Sequence, residues 1–427
     1  MKAIVKRSDG LFGEIIVPPS KSQSMRALIF ASLAHGKSKI YSPLFTDDFL
    51  YAIECLNNIG AFISYDMSKK IVEIIGNSGK LNINNNNFYV GNSGILLRFL
   101  SAILAFSKMS VLITGDERLC STRSIQEIIS AVNQLGGKAF SKNIKGYPPL
   151  CIKGPVHNGN VSINGSDSQP VSGLLIASLL GKGIMDLNVD SAGEKPWINM
   201  TLEWFDRLFL KYENKNFERY IVPGNQMIKS FEYRVSGDFS SALFPVLCGL
   251  LLPDSKIEIK NLNFNDSQGD KEVFQILKKM GAYLKRSSNS LEVRYSKLKG
   301  MEIDVNGIID ALPALAVAGC FAKGRTILKN AGIARKKECD RIDAISKELS
   351  KMGAKILTTE DSMIIDGTDL KGATLNSHND HRIALSLIVA GLVASNETII
   401  EDINCIDKTY SEFPKNISNI GGNIKIE

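Results

Sequence analysis

A six-residue phrase recurs along the chain: an apolar residue, two polar residues, an apolar residue, glycine and a small residue. It reads LNNIGA (Leu56–Ala61), VNQLGG (Val132–Gly137), LKKMGA (Leu277–Ala282), LSKMGA (Leu349–Ala354) and ISNIGG (Ile417–Gly422). The first glycines, Gly60, Gly136, Gly281, Gly353 and Gly421, lie 76, 145, 72 and 68 residues apart. The long gap is about two periods, and FDRLFL (Phe205–Leu210) stands where the missing copy belongs. The spacing therefore predicts six units of about seventy residues. Each phrase has the apolar pair of a buried helix face at i and i+3, then the glycine that ends a helix in the left-handed conformation. A strand-like segment follows each time: AFISY, KAFSK, AYLKR, AKILT and GNIKIE.

A second series runs out of phase with the first. It is a polar turn before an apolar helical run: PSKSQSMR, GNSGILLR, GSDSQPVS, SGDFSSAL, IIDALPAL and HNDHRIAL. Ser22, Asn92, Ser168, Ser240, Asp310 and Asp380 mark it in steps of 70, 76, 72, 70 and 70 residues. A helix start offers free N–H groups and the positive end of the helix dipole, and both favour an anion. Lys21, Ser22 and Arg26 reinforce this at the first turn, where Ser22 and Arg26 can share a helix face. In GNSG, Gly94 lets backbone approach a ligand closely. TGDERLCSTRS (Thr114–Ser124) carries Arg118 and Arg123 and reads as a loop, either one that closes on a ligand or a plain surface loop. Ser168 and Gln169 add hydroxyl and amide donors, while Asp310 sits in an apolar setting. Burial raises such a carboxyl and nearby cations lower it, a tuning suited to a general base. Lys337, Glu338 and Arg341 in RKKECDRI, Arg382 in HNDHR and Lys408 in CIDKTY complete the charged turns.

Elsewhere the polar stretches read as scaffold. TDD (Thr46–Asp48) is a helix cap, Asn82 to Asn87 a solvated loop, and GEKPW (Gly193–Trp197) a turn. The stretch from Lys211 to Lys229 is a loop or hairpin, and NDSQGD (Asn265–Asp270) caps a helix. The chain carries 51 Lys and Arg against 44 Asp and Glu, a mild excess that suits acidic metabolites. No basic block with interleaved aromatics argues for nucleic acid, and no apolar run is long enough to span a bilayer. The start, MKAIVKRSDG, has no apolar core of a secretion signal. Seven scattered cysteines without a CxxC point to a reduced, cytoplasmic compartment and to no zinc site.

KSQSMR, GNSG, SDSQ, IIDALP, KKECDR, NDHR and DKTY, in this order, resemble the 3-phosphoshikimate 1-carboxyvinyltransferase (EPSP synthase) family of enolpyruvyl transferases. The resemblance runs over nearly the whole chain. It implies an α/β fold, a two-domain inverse α/β barrel with six repeated units, three per domain, helices inside and sheets outside. One domain would be residues 20–236 and the other residues 1–19 with 237–427, with the active site in the cleft between them. It implies transfer of the enolpyruvyl group of phosphoenolpyruvate to the 5-hydroxyl of shikimate 3-phosphate, by addition and elimination. No metal or organic cofactor is implied, and the partners are these small anions, with no nucleic acid, no membrane and a monomeric chain.

By motif, Lys21 touches both substrates, and Ser22, Arg26, Ser168, Gln169, Asp310 and Lys337 bind shikimate 3-phosphate. Lys21, Gly94, Arg118, Gln169, Arg341, Arg382 and Lys408 bind phosphoenolpyruvate. Asp310 takes the hydroxyl proton, Glu338 and Lys408 are candidates to protonate the methylene, and Lys21 belongs to the catalytic set. The chain departs from the family pattern at Ile95, Asp167, Glu194 and Ile333. Two other readings stand beside this one. The sister enzyme acting on UDP-N-acetylglucosamine carries a reactive cysteine in the loop where Cys120 lies here. A homologue that only binds anions is the reading that Asp167, Glu194 and Ile333 would motivate.

Overall fold

A computed structural model describes residues 1–427. The chain divides into two compact units, Met1–Pro19 with Ser236–Glu427, and Ser20–Val235. Each has its own hydrophobic core. No helix is long and apolar enough to cross a membrane.

Six four-stranded sheets share one strand order, as the repeat requires. Residues 87–153 show the plan. A short strand, Asn87–Tyr89, leads into a buried helix, Gly94–Leu104, and the chain returns as the parallel strand Ser110–Thr114. An outer helix, Gln126–Gln134, precedes the hairpin Lys138–Ser141 and Leu150–Lys153, which adds two antiparallel strands.

The six polar turns each start one inner helix: α1 Lys21–Leu33, α2 Gly94–Leu104, α3 Ser168–Ser178, α4 Phe239–Leu251, α5 Leu312–Phe321 and α6 His381–Val393. Their sequences are apolar on nearly every side, which is why they are buried rather than laid on a surface. Five are capped by Ser20, Ser93, Asp167, Asp238 and Asp380, whose side chains accept backbone N–H groups of the first turn. α5 differs: a 3₁₀ segment, Asn306–Ala311, feeds it without a side-chain cap, and Pro313 sits in its first turn.

In the unit containing both termini, α4, α5 and α6 pack pairwise. The backbone N–H of Ser296, Thr368 and Ser8 binds the last-turn carbonyls of Leu250, Cys320 and Leu392, one closure for each helix. In the other unit α2 and α3 pack most closely. A Cβ on Gly173 would stand 2.9 Å from the Arg98 carbonyl, so only glycine permits that approach.

All five phrase glycines have positive φ, from +85° to +111°. At the degraded copy Phe209 takes the same place with φ 55°, and it is 90% exposed. Its ring is wasted on solvent and its backbone is strained for an L residue. Phe209→Gly should therefore raise stability by about 1 kcal/mol in urea unfolding; unchanged or lower stability would show that the ring packs.

Several scaffold expectations need adjustment. TGDERLCSTRS is not an open loop: Asp116 caps a short helix, Glu117–Thr122. Asn87 begins a strand, and the Asn58 side chain ties the preceding loop down by donating to the Asn85 carbonyl and accepting from its N–H. NDSQGD provides no side-chain cap for the segment Gly269–Lys279. Its acids turn inward instead, Asp266 to Ser236 and Asp270 to Ser240. Lys211–Lys229 does form a hairpin, with strands Glu213–Lys215 and Arg219–Pro223.

Candidate active site

The charged turns form one cluster in each unit. In the unit with the termini the centre is Arg341, 1% exposed at the start of the helix Arg341–Lys351. Its Nε donates to Asp380 Oδ2 at 2.8 Å, Nη1 to Asp310 Oδ1 at 2.7 Å and Nη2 to Glu338 Oε2 at 2.6 Å. Three carboxylates thus engage all three nitrogens of one guanidinium, with Asp380 reached by both Nε and Nη2, a fork that Arg supplies and Lys does not. Arg382, in the first turn of α6, donates from Nη2 to Asp310 Oδ2 at 3.3 Å. Its Nε and Nη1 are buried with no protein partner, so this guanidinium keeps donors for an anion.

Asp310 therefore lies between two arginines, with a side chain 23% exposed. Burial pushes its carboxyl up, but Arg382, Arg341 and Lys337 outweigh burial and hold it well below the usual carboxylate range. Lys337 is buried and Glu338 half-buried in the same turn. Lys408 ends the 3₁₀ segment Ile403–Lys408 and is half-buried. Ile333 packs on the apolar core, so its turn carries no polar side chain at that position.

In the other unit Lys21 pairs with Asp48 at 2.7 Å, which makes TDD more than a cap. Ser22 follows on α1, half-buried. Arg26 is buried: Nε donates to Thr201 Oγ1 at 2.9 Å, Nη1 to the Ser22 carbonyl at 3.2 Å and Nη2 to the Trp197 carbonyl at 3.0 Å. It also lies over the Phe99 ring. Arg98 holds α2 and α3 together through Gln169 Oε1 at 3.2 Å, Asp167 at 3.3 Å and the Ser124 carbonyl at 2.8 Å.

A Cβ at Gly94 would strike Arg98 at 2.8 Å and stand 3.4 Å from Arg123 and Gln169, so Gly94, Arg123 and Gln169 are brought together. Arg118, the arginine the motif singles out, is half-buried on the short helix. Arg123 is the buried one, at that helix's C-terminal end. The sequence signal was available: Arg123 is followed two residues on by the apolar Ile125, whose burial anchors this end of the stretch.

The start of α3 holds an unexpected pair. Glu194 Oε2 accepts from both the backbone N–H and the Oγ of Ser168, each at 3.0 Å. Glu194 is 2% exposed and left-handed at φ 45°, the residue just before the helix Lys195–Arg207. Asp167 caps α3 and pairs with Arg98. A carboxylate from the chain itself thus sits where the dipole and N–H groups would favour an external anion.

Comparison with known proteins agrees with the motifs. The family model for EPSP synthase (3-phosphoshikimate 1-carboxyvinyltransferase) matches residues 5–417. A 3-phosphoshikimate 1-carboxyvinyltransferase of Acetivibrio thermocellus is 40% identical over 412 residues, covering 96% of each chain. One from Chlamydia trachomatis is 39% identical over 416 residues, covering 97% of this chain and 93% of the relative. Among solved structures, EPSP synthase from Acinetobacter baumannii superposes with a TM-score of 0.84 at 25% identity, covering 100% of this chain and 99% of that one. The enolpyruvyl transferase NikO from Streptomyces tendae shares the fold, with a TM-score of 0.76 at 15% identity over 99% and 98% of the two chains. Repeat, charged turns and relatives lead to one conclusion: the chain belongs to the EPSP synthase (3-phosphoshikimate 1-carboxyvinyltransferase) family.

Proposed function

We infer that the chain transfers the enolpyruvyl group of phosphoenolpyruvate to the 5-hydroxyl of shikimate 3-phosphate, giving 5-enolpyruvylshikimate 3-phosphate and phosphate. Asp310 carries the reading: a partly exposed carboxylate clasped by Arg341 and Arg382 in a chain of this family. The acceptor's 5-hydroxyl gives its proton to Asp310 as its oxygen attacks C2 of phosphoenolpyruvate. C3 takes a proton from Glu338 or Lys408, which leaves a tetrahedral ketal still bearing phosphate. Loss of a C3 proton and departure of phosphate restore the double bond.

The arginines give this sequence an order. With only protein groups about it, Asp310 is held too low to be a strong base. An anion on Arg382 offsets that guanidinium's charge and lifts the carboxyl toward a working range. The base thus strengthens when phosphoenolpyruvate is bound, and wasteful proton traffic without it is suppressed.

In this reading Arg118, Arg341, Arg382, Lys408, Lys21, Gln169 and Gly94 hold phosphoenolpyruvate, and Arg123, close to Gly94 and Gln169, supports them. Arg341 also fixes Asp310 and Glu338. Ser22, Arg26, Lys337, Ser168 and Gln169 serve the acceptor, whose phosphate goes to the start of α3. One chain supplies every group named, so a monomer suffices. All seven cysteines are free thiols, as a reducing cytoplasm would keep them.

Glu194 makes a quantitative expectation. A phosphate at Ser168 must displace or face this carboxylate, and facing like charges cost affinity. Glu194→Gln keeps the shape and an acceptor for Ser168 but removes the charge. It should lower the KM for shikimate 3-phosphate by about tenfold with little change in kcat. A raised KM would show that Glu194 helps to hold the acceptor.

The reading as a whole is tested by phosphate release from phosphoenolpyruvate with shikimate 3-phosphate or UDP-N-acetylglucosamine as acceptor. Release with the shikimate ester alone is expected. Release with the sugar nucleotide alone would overturn the reading and put Cys120 at the centre, and no release by folded protein would make the chain an anion binder.

A further inference from the structure

Asp270 is a fully buried carboxyl group to which the mechanism above assigns nothing. It lies in the 3₁₀ turn Gly269–Glu272, which packs against the turn Asn306–Ala311 that carries Asp310. Its Oδ2 accepts the Ser240 hydroxyl from the first turn of α4, and its Oδ1 has no hydrogen-bond partner. Arg382 has two buried nitrogens with no partner, and it reaches the neighbouring turn through its hydrogen bond to Asp310 at 3.3 Å. A buried carboxyl left half satisfied, one turn away from a guanidinium with unpartnered nitrogens, is costly, and in a stable fold such an arrangement asks for an explanation.

We propose that Asp270 is a positioning residue that sets, through Arg382, how firmly the site holds its anionic substrate. The inference rests on the reading that Arg382 takes phosphoenolpyruvate. Uncharged, Asp270 leaves the whole charge of Arg382 to the substrate. Ionised, it offsets that charge and weakens the hold. The charged groups that face Asp270 are Asp310, Arg382 and Asp238. Burial, and then the Asp310 charge, push its carboxyl up to about 7, against Arg382 and the Ser240 hydrogen bond, which pull it down. The switch between the two states therefore falls near neutral pH.

The test is the KM for phosphoenolpyruvate from pH 6 to 8 in wild type and in Asp270→Asn, which is neutral throughout and can still accept from Ser240. Titration of the substrate's own phosphate affects both proteins and cancels in their ratio. The wild-type to variant ratio should be near one at pH 6 and rise to about tenfold at pH 8, with kcat changing far less. A ratio that does not change with pH would overturn the proposal, because a merely structural role gives a constant offset. Ser240→Ala provides a second route if the Asn variant does not fold. It removes a hydrogen bond that favours the ionised form, so it should move the rise in KM to higher pH, and a move to lower pH or none would also count against the proposal. Wild-type turnover at pH 7 separates the two questions: its absence defeats the functional reading, whereas turnover with a flat ratio defeats only the role of Asp270.

Discussion

Asp310→Asn should lower kcat by about a thousandfold while phosphoenolpyruvate binds as well as before or a few-fold more tightly. General-base catalysis contributes about 10² to 10⁴ in rate, and asparagine has the shape of aspartate without its basicity. The direction for binding follows from the clasp. Asp310 now takes an N–H from each of Arg341 and Arg382. Asparagine brings no negative charge to compete with the substrate for Arg382. A loss of kcat together with a loss of affinity would mean that the charge holds the arginines in place rather than removing a proton. Calorimetry beside steady-state kinetics separates the two. A variant that kept kcat within tenfold of wild type would remove Asp310 from the chemistry.

The second large effect is on stability. Arg341→Met should cost about 3 to 5 kcal/mol in urea unfolding and abolish turnover. Methionine fills most of the volume but leaves Asp310, Glu338 and Asp380 crowded without their shared cation. Removing one partner of a buried ionic cluster costs far more than the cluster contributes against an apolar substitute, because uncompensated charge stays behind. Asp380 is fully buried, so water does not compensate it. A cost under about 1 kcal/mol would mean that the carboxylates take up protons or other partners at small expense.

The fold was legible because its signals are local and repeated. A glycine after an i, i+3 apolar pair ends a helix wherever it stands, and five of the six copies kept it. The sixth shows that the backbone conformation outlasts the residue that made it easy, since Phe209 holds the left-handed turn regardless. Five of the six inner helix starts were legible for the same reason: Ser and Asp before an apolar run are capping chemistry. What the sequence hid are relations between distant turns. Nothing near Ser168 announces that a carboxylate 26 residues later will take its N–H and hydroxyl. Nothing near Arg341 shows that its nitrogens will be divided among three acids, two of them more than thirty residues away. Arg118 and Arg123 look alike in sequence, and only the short helix that carries Arg118 and ends at Arg123 decides which is buried. Asp270 was read as a cap because caps are the usual role of such residues, but its hydrogen bond to Ser240 crosses to another element.

The most direct test of the account is to run the reaction in D₂O and read the product by NMR. If the 5-hydroxyl adds to C2 while C3 takes a solvent-derived proton, the intermediate has a methyl group. Elimination then returns a methylene that carries deuterium. The account predicts 5-enolpyruvylshikimate 3-phosphate with deuterium in its vinyl methylene, formed only when both substrates are present. Product with an undeuterated methylene would contradict addition and elimination at this site, and no product at all would contradict the assignment itself.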